Sequence, residues 1–185
     1  MNINALRPTI DFRAFVASRA VDSSKLKCRF VSKEDFDDVL RIESQAFEYP
    51  WTRDEFDYCL DAPECKGIAV ERGDKIVGYL FYEIRNDFYR LLSFAVDERE
   101  RRKGVGSFML GALADKLDVD RAEISCFVRE KNAEAQLFLR SLGFRAVWIA
   151  RDFYRETSED AYRMTLQRNE WGTSTDFARR RRLAG

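Results

Sequence analysis

At 185 residues, with 45% hydrophobic and 14% aromatic residues, the chain has the size and composition of one packed domain rather than of a disordered or multidomain protein. Lysine plus arginine and aspartate plus glutamate both number 32, so no net field draws the protein to nucleic acid or to a membrane surface, and any basic site must be local. Histidine is absent, which removes imidazole as a base, an acid or a metal ligand, and no metal site is expected.

Residues 1–24 show no clean period and read as an N-terminal extension, with charges mixed into their apolar positions instead of a signal core. From there the domain is expected to run over residues 25–167. "LKCRFVS" reads as a first strand. In "SKEDFDDVLRIESQAF", Ser32 and Asp35 are spaced as an N-cap pair, and Phe36, Val39, Leu40 and Phe47 recur at helical intervals. An aromatic turn, "EYPW", leads into "TRDEFDYCL", where Thr52 and Glu55 have capping-box spacing, so a second short helix follows.

Three strands come next, "KGIAVERG", "KIVGYLFYEIR" and "FYRLLSFAVD". The "GD" and "ND" turns between them predict an antiparallel meander. After the charged stretch "RERRKGVGS", a helix is expected with Val105, Phe108 or Met109, Ala112, Leu113 and Leu117 on one face, and "AEISCFVR" is another strand. "NAEAQLFLRSLGF" is a helix capped by Asn132 and closed by Gly143, and "FRAVWIARDFY" and "AYRMTLQR" are the last strands. The tail, residues 168–185, holds "RRRR" and is expected to be mobile and at most a weak nucleic-acid contact. Cys28, Cys59, Cys65 and Cys126 form no Cys-x-x-Cys pair and are expected as reduced thiols of a cytoplasmic protein. No apolar stretch has the ~18–20 residues that a bilayer crossing needs. These segments together predict one α/β domain around a mixed sheet.

The stretch at residues 99–107 raises the question of a ligand. A glycine-containing turn between a strand and a helix exposes backbone N–H groups at the positive end of the helix dipole, and glycines let an anion approach without a Cβ in the way. The bland alternative is a plain turn with its charges in water. It is not a Walker A loop, since no Gly-Lys-Ser/Thr follows at the six-residue spacing, nor the dinucleotide fingerprint, since Gly-x-Gly is not followed by x-x-Gly.

In context, "AVDERERRKGVGSFML" resembles the acetyl-CoA-binding motif of the GNAT superfamily of N-acetyltransferases, with Arg101, Gly104 and Gly106 at the motif positions. "SCFVREKNAEAQLFLRSLGF" is similar to the second cofactor motif of that family through Val128, Arg129, Asn132, Ala135, Gly143 and Phe144. "AFEYPWTRDEF" and "ARDFYRETSEDAYRMTL" further resemble the branch that acetylates protein N-termini, typified by the ribosomal-protein-alanine acetyltransferases. The resemblance spans about residues 28–167. It implies the family fold, a mixed, mostly antiparallel sheet of about seven strands with helices on both faces, in a monomer or homodimer.

The resemblance also implies site residues. Acetyl-CoA would bind with its pyrophosphate on the backbone of Arg102, Lys103, Gly104, Val105, Gly106 and Ser107, with Arg101 or Arg102 adding charge-assisted contacts. Its pantetheine arm would lie along Phe94, Ala95 and Val96, and Asn132 would hydrogen-bond that arm as well as cap its helix. Tyr49, Pro50, Trp51 and Tyr154 would line the slot for a protein or peptide N-terminus, with Tyr154 also the one candidate catalytic group. The sequence departs from the family where relatives carry a base and an acid, since those positions read Phe127 and Leu139. A second base position falls at Arg90, and arginine does not give up its proton.

An α-amine with pKa near 7.8 is roughly one part in seven neutral at pH 7, against about four parts in ten thousand for a lysine near 10.4. That ~300-fold difference, about 3.5 kcal/mol, makes an N-terminal amine the acceptor that least needs a base. Two alternatives stay open: an acetyl-CoA-binding module without catalysis, and acetylation of a small amine, for which Glu48 and Glu83 are the nearby acidic residues.

Overall fold

The computed structural model describes residues 25–169, so the N-terminal extension and nearly all of the basic tail lie outside the described residues. In chain order the elements are β1 (Leu26–Phe30), α1 (Phe36–Ala46), α2 (Arg53–Asp61), β2 (Cys65–Arg72), β3 (Lys75–Ile84), β4 (Phe88–Val96), α3 (Val105–Ala114), β5 (Glu123–Arg129), α4 (Ala133–Ser141), β6 (Arg145–Tyr154) and β7 (Glu159–Gln167). The strands form one seven-stranded sheet in the order β1-β2-β3-β4-β5-β7-β6. The β2-β3-β4 meander is antiparallel as the turns predict, and β4–β5 is the parallel pair, joined through α3.

Helices cover both faces. On one, Val105, Met109, Leu110 and Leu113 of α3 and Leu139 of α4 pack onto Leu80, Leu91, Ile124 and Met164 of the sheet. On the other, Phe36, Val39 and Ile42 of α1 and Phe56 of α2 pack onto Ala69, Tyr79, Phe81 and Ala95. Phe56 is fully buried, with ring centroids 5.0 Å from Phe81, 5.2 Å from Trp51 and 5.8 Å from Tyr79. Burying one such ring is worth about 2–3 kcal/mol, so this cluster fixes the α1–α2 pair to the sheet.

Local signals explain the boundaries. Ser32 and Asp35 form a capping box, but over a short 3-10 turn at Lys33–Asp35 that feeds α1. The Thr52–Glu55 box starts α2, with Thr52 N–H donating to Glu55 at 2.7 Å. Gly143, at φ 97°, follows α4 in the left-handed conformation that closes a helix.

Three expectations need correction. Phe47 lies one residue beyond α1 and is 36% exposed; the residues that complete the buried stripe are Ile42 and Glu43. Leu117 lies beyond α3, which ends at Ala114, although its side chain still packs on the core. Cys59 and Cys65 are not separate thiols: the chain turns back after α2 into β2, which brings their Cα atoms to 5.5 Å and joins them as a disulfide. Cys28 and Cys126 are free, and burial pushes the Cys126 thiol up to about 12. Among the described residues, no helix is long and apolar enough to cross a membrane.

Candidate functional site

The charged stretch after β4 folds into a compact backbone cradle. Asp97 caps a 3-10 turn at Glu98–Glu100, accepting from Arg99 N–H. Arg102 at φ 61° and Gly104 at φ 80° then take left-handed conformations, and alternation of this kind turns successive N–H groups inward as an anion-binding nest. A non-glycine residue in that conformation is strained, which is common where a backbone is shaped for a ligand. Gly104 is the N-cap of α3, so the N–H groups of Val105, Gly106 and Ser107 in its first turn have no intrahelical carbonyl to bond.

Glycine at 106 has a packing cause. A Cβ there would stand 3.1 Å from Phe94 Cζ and 3.1 Å from Phe138 Cζ, the two rings that stack beneath the turn with centroids 5.8 Å apart. The cations are held by neighbours: Arg102 pairs with Glu134 at 2.9 Å, Lys103 with Glu100 at 3.0 Å, and Arg101 donates to Val96 O at 3.3 Å and Gln45 O at 3.5 Å. Their charge stays local to the turn.

Directly before this cradle the sheet opens. β4 and β5 pair in register only at Phe88–Arg90 with Glu123–Ser125. From Leu91 to Val96 and from Cys126 to Arg129 the facing edges of the two strands share no ladder, which leaves a wedge wide at the glycine turn and closed at Arg90 and Ser125. Backbone groups of Phe94 and Val96 along that edge are available to a ligand that runs like an extra strand. Ala95 is buried toward α1 and α2, while Phe94 and Val96 pack toward α3 and α4. Asn132 caps α4, its side chain accepting from Ala135 N–H at 3.0 Å.

The aromatic residues expected to form an acceptor slot divide into two groups. Trp51 is half-buried and packs against the core, its ring against Phe56 and 6.4 Å from Phe81. Tyr49 and Tyr154, from distant elements, come together on one guanidinium, with Arg129 Cζ 5.3 Å from the Tyr49 centroid and 3.7 Å from that of Tyr154. Arg129, at the end of β5, also pairs with Glu156 and, at 3.2 Å, with Glu159. Pro50 is exposed between Tyr49 and Trp51. Burial raises the Tyr154 pKa, against the pull of Arg129, and its hydroxyl donates to Phe127 O at 3.4 Å. Phe127 stacks on Phe153 with centroids 4.4 Å apart, and Leu139 is buried in the α3–α4 core.

Sequence reasoning did not find Glu43. It is 2% exposed near the end of α1, and its carboxylate ties three elements together. Oε1 accepts Trp51 N–H at 2.8 Å, and Oε2 accepts the Tyr79 hydroxyl of β3 and, at 3.3 Å, the Ser93 hydroxyl of β4. Burial pushes its pKa up to about 7. Helical spacing could have revealed it, since Glu43 falls on the same stripe as Phe36 and Val39, where a charged residue is out of place unless it has partners.

Residues 36–144 match the acetyltransferase (GNAT) family. The chain is 28% identical over 140 residues to the [ribosomal protein bS18]-alanine N-acetyltransferase of Salmonella typhimurium, covering 74% of this chain and 93% of that protein. It is 27% identical over 150 residues to the N-alpha-acetyltransferase RimI of Mycobacterium tuberculosis, covering 77% of this chain and 93% of that one. Its fold is similar to the crystal structure of the ribosomal-protein-S18-alanine N-acetyltransferase from Escherichia coli, with TM-score 0.68, 26% identity, and coverage of 77% of this chain and 93% of the other.

Proposed function

The chain belongs to the acetyltransferase (GNAT) family, and from that premise we propose that it transfers the acetyl group of acetyl-CoA to the N-terminal α-amine of a protein or peptide. The observation that carries the reading is the pairing of a wedge between β4 and β5 with a left-handed glycine turn at its wide end. The residues fit such a donor: a nest and a helix N-terminus suit a pyrophosphate, glycine at 106 leaves room against Phe94 and Phe138, and the unpaired strand edge suits the amides of a pantetheine arm.

Acetyl-CoA, when bound, supplies an activated acyl group. The chain's own work is then to hold that arm along Phe94–Val96, to guide an amine past the Tyr49–Arg129–Tyr154 cluster, and to keep the Tyr154 hydroxyl protonated as a source for the departing sulfur. An α-amine is the favoured acceptor on chemical grounds. On the family resemblance the base and acid positions fall at Phe127 and Leu139, which cannot take or give a proton, and an α-amine is already partly neutral at pH 7. The names of the bS18-alanine and N-alpha-acetyltransferase relatives support the same acceptor class.

The test is acetyl transfer to a peptide library with free N-termini beside the same peptides with blocked N-termini and free lysines. Transfer confined to free N-termini is expected, and no transfer to any member overturns the reading. The lack of an ionisable group at Phe127 and Leu139 also favours a second reading, a binding module for acetyl-CoA. That reading predicts a calorimetric signal with acetyl-CoA and no thiol release with any amine.

A further inference from the structure

β4 carries an extra residue where it leaves β5. Ser93 stands opposite Phe81 of β3 and Leu91 opposite Tyr82, so Leu92 is a bulge. Leu91 packs into the α3–α4 side of the core and Ala95 into the α1–α2 side, although an unbroken strand would place both on one face. The bulge follows closely on Arg90, the last residue of β4 that pairs with β5. A bulge bends its strand and adds twist, so this one directs β4 away from β5 and opens the wedge.

Glu43 holds that bulge from the α1 side. The buried Ser93 hydroxyl lies 3.3 Å from Glu43 Oε2 and 3.1 Å from the Tyr79 hydroxyl, which donates to the same oxygen. The other oxygen, Oε1, accepts Trp51 N–H at 2.8 Å. One carboxyl group therefore spans the turn that carries Tyr49 and the strand whose next residue, Phe94, lines the wedge. The span survives either charge state. Ionised, the group accepts from all three donors; protonated, it still accepts Trp51 N–H and gives its own proton to a hydroxyl oxygen. A buried polar cluster with its members paired is rigid, and it fixes the elements it joins.

Resting on the reading that acetyl-CoA lies along β4 and that the amine enters past Tyr49, we propose that Glu43 is a positioning residue for acetyl transfer. It sets the spacing of donor and acceptor by holding the β4 bulge and the α1–α2 turn on one carboxyl group. In that transfer the neutral amine nitrogen forms a bond to the carbonyl carbon and the carbon–sulfur bond breaks. The acceptor enters as an ammonium and leaves as an amide, so it loses two protons. One passes to water before attack and the other ends on the departing thiolate. Glu43 is buried, takes part in none of these bonds, and acts through Ser93 and Trp51. Reacting atoms must be held about 3–3.5 Å apart, and an error of about 1 Å costs about 100-fold in rate. The tether is therefore expressed in kcat rather than in the affinity for either substrate.

The experiment uses the full chain and the variants Glu43→Asp, Glu43→Gln and Ser93→Ala, with the free N-terminal peptide that the wild type acetylates best. A second probe is a linked inhibitor, that peptide's α-nitrogen joined to the sulfur of CoA through a CH₂–CO bridge. Aspartate is shorter by one carbon–carbon bond, about 1.5 Å, and reaches only one end of the span. Glutamine keeps the length, an acceptor for Trp51 N–H and donors for the hydroxyl oxygens. Glu43→Asp should lower kcat by about 10- to 100-fold and weaken the linked inhibitor at least about tenfold, with acetyl-CoA affinity and peptide KM within about threefold of wild type. Glu43→Gln should restore both. Ser93→Ala, which frees only the strand end, should lower kcat about fivefold, and adding it to Glu43→Asp should lower kcat no further. A purely structural Glu43 would lower the folded fraction, seen by near-ultraviolet circular dichroism, and leave kcat per folded molecule and inhibitor affinity alone. If Glu43→Asp does not fold, Ser93→Ala carries the comparison. Variants that keep kcat within about threefold of wild type, or that lose it through either substrate's affinity, overturn the assignment and leave the proposed function standing. A wild type that acetylates no peptide overturns the proposed function itself, and the assignment with it.

Discussion

The two halves of the candidate site are built from different material. The donor half, from the wedge between β4 and β5 to the glycine turn, is made of backbone: left-handed residues, a helix N-terminus and an unpaired strand edge. The acceptor half is made of side chains from elements far apart in sequence. Tyr49 comes from the α1–α2 turn, Arg129 from the end of β5 and Tyr154 from β6, and beneath them Glu43 ties the turn to β3 and β4. A backbone site depends on conformation and tolerates many side chains. A side-chain site depends on charge, and so on pH and on single substitutions.

The largest effect expected from that contrast is at Glu43. Glu43→Ala leaves the Trp51 amide and the Tyr79 and Ser93 hydroxyls without their shared acceptor, and should cost about 3–4 kcal/mol in urea unfolding at pH 5. The pH dependence is the sharper test. Burial raises the folded pKa from the usual 4.5 to about 7, so between these values the unfolded chain releases a proton that the folded chain keeps. This group's contribution is therefore fully present below about pH 4.5, is lost as pH rises to about 7, and changes no further above that, by about 3 kcal/mol in all. Glu43→Gln, which keeps the shape without the titration, should remove that fall. Asp35 acts in the opposite sense: its hydrogen bonds from Arg29 hold its carboxyl below the usual 3.8, so its stabilisation is lost only as the solution becomes more acid than the Glu43 window. A wild type equally stable at pH 5 and pH 7.5 would count against the raised pKa of Glu43.

Gly106→Val probes the donor half. Its branched side chain would press on the Phe94 and Phe138 rings, already 3.1 Å from where a Cβ would stand, and push into the cradle. Overpacking of this kind costs about 1–3 kcal/mol of folding stability, and the shift it forces on the first turn of α3 should lower acetyl-CoA affinity, measured by calorimetry, by at least about tenfold. The acceptor half should keep its pH response. If donor affinity is unchanged, the cradle is not where the donor binds.

How much of this was legible in the sequence follows the same division. Gly104 and Gly106 lie two residues apart, and the chemistry that needs them is local, so the turn, the helix after it and the Asn132 cap could be read from spacing. The β2-β3-β4 meander was equally legible from alternating strands and short turns. The meeting of Tyr49 and Tyr154 on Arg129 could not be read, because it exists only once the sheet places the end of β5 beside both the α1–α2 turn and β6. Trp51 and Tyr49 are near neighbours in one aromatic turn, yet one packs against the core and the other lies on the guanidinium, a distinction that periodicity does not carry. The Cys59–Cys65 disulfide was missed for a related reason: spacing and compartment argue about typical use, and the turn between α2 and β2 decides the contact.

Arg129→Ala separates the halves most directly. It removes two ring contacts and the pairs with Glu156 and Glu159. At about 2 kcal/mol for these partly exposed contacts together, the acceptor KM should rise about 30-fold with donor affinity unchanged. Arg129→Lys should recover little, since an ammonium lacks the planar face that lies against Tyr154. A parallel loss of donor affinity would mean that the halves are one coupled unit.

The smallest effect is expected at Tyr154→Phe, and it is the most discriminating. The ring sits 3.7 Å from the Arg129 guanidinium and edge-on to Phe153, contacts that phenylalanine keeps, whereas the hydroxyl makes one long hydrogen bond to Phe127 O. Stability should therefore change by less than about 1 kcal/mol, and the acceptor KM should stay near the wild-type value. Burial keeps the hydroxyl protonated, so if it passes its proton to the departing thiolate, kcat should fall about tenfold while both binding constants stand. A rise in acceptor KM with kcat intact would instead make Tyr154 a wall of the slot. It would leave the leaving-group proton to water and show that, in the acceptor half too, shape matters more than acid–base chemistry.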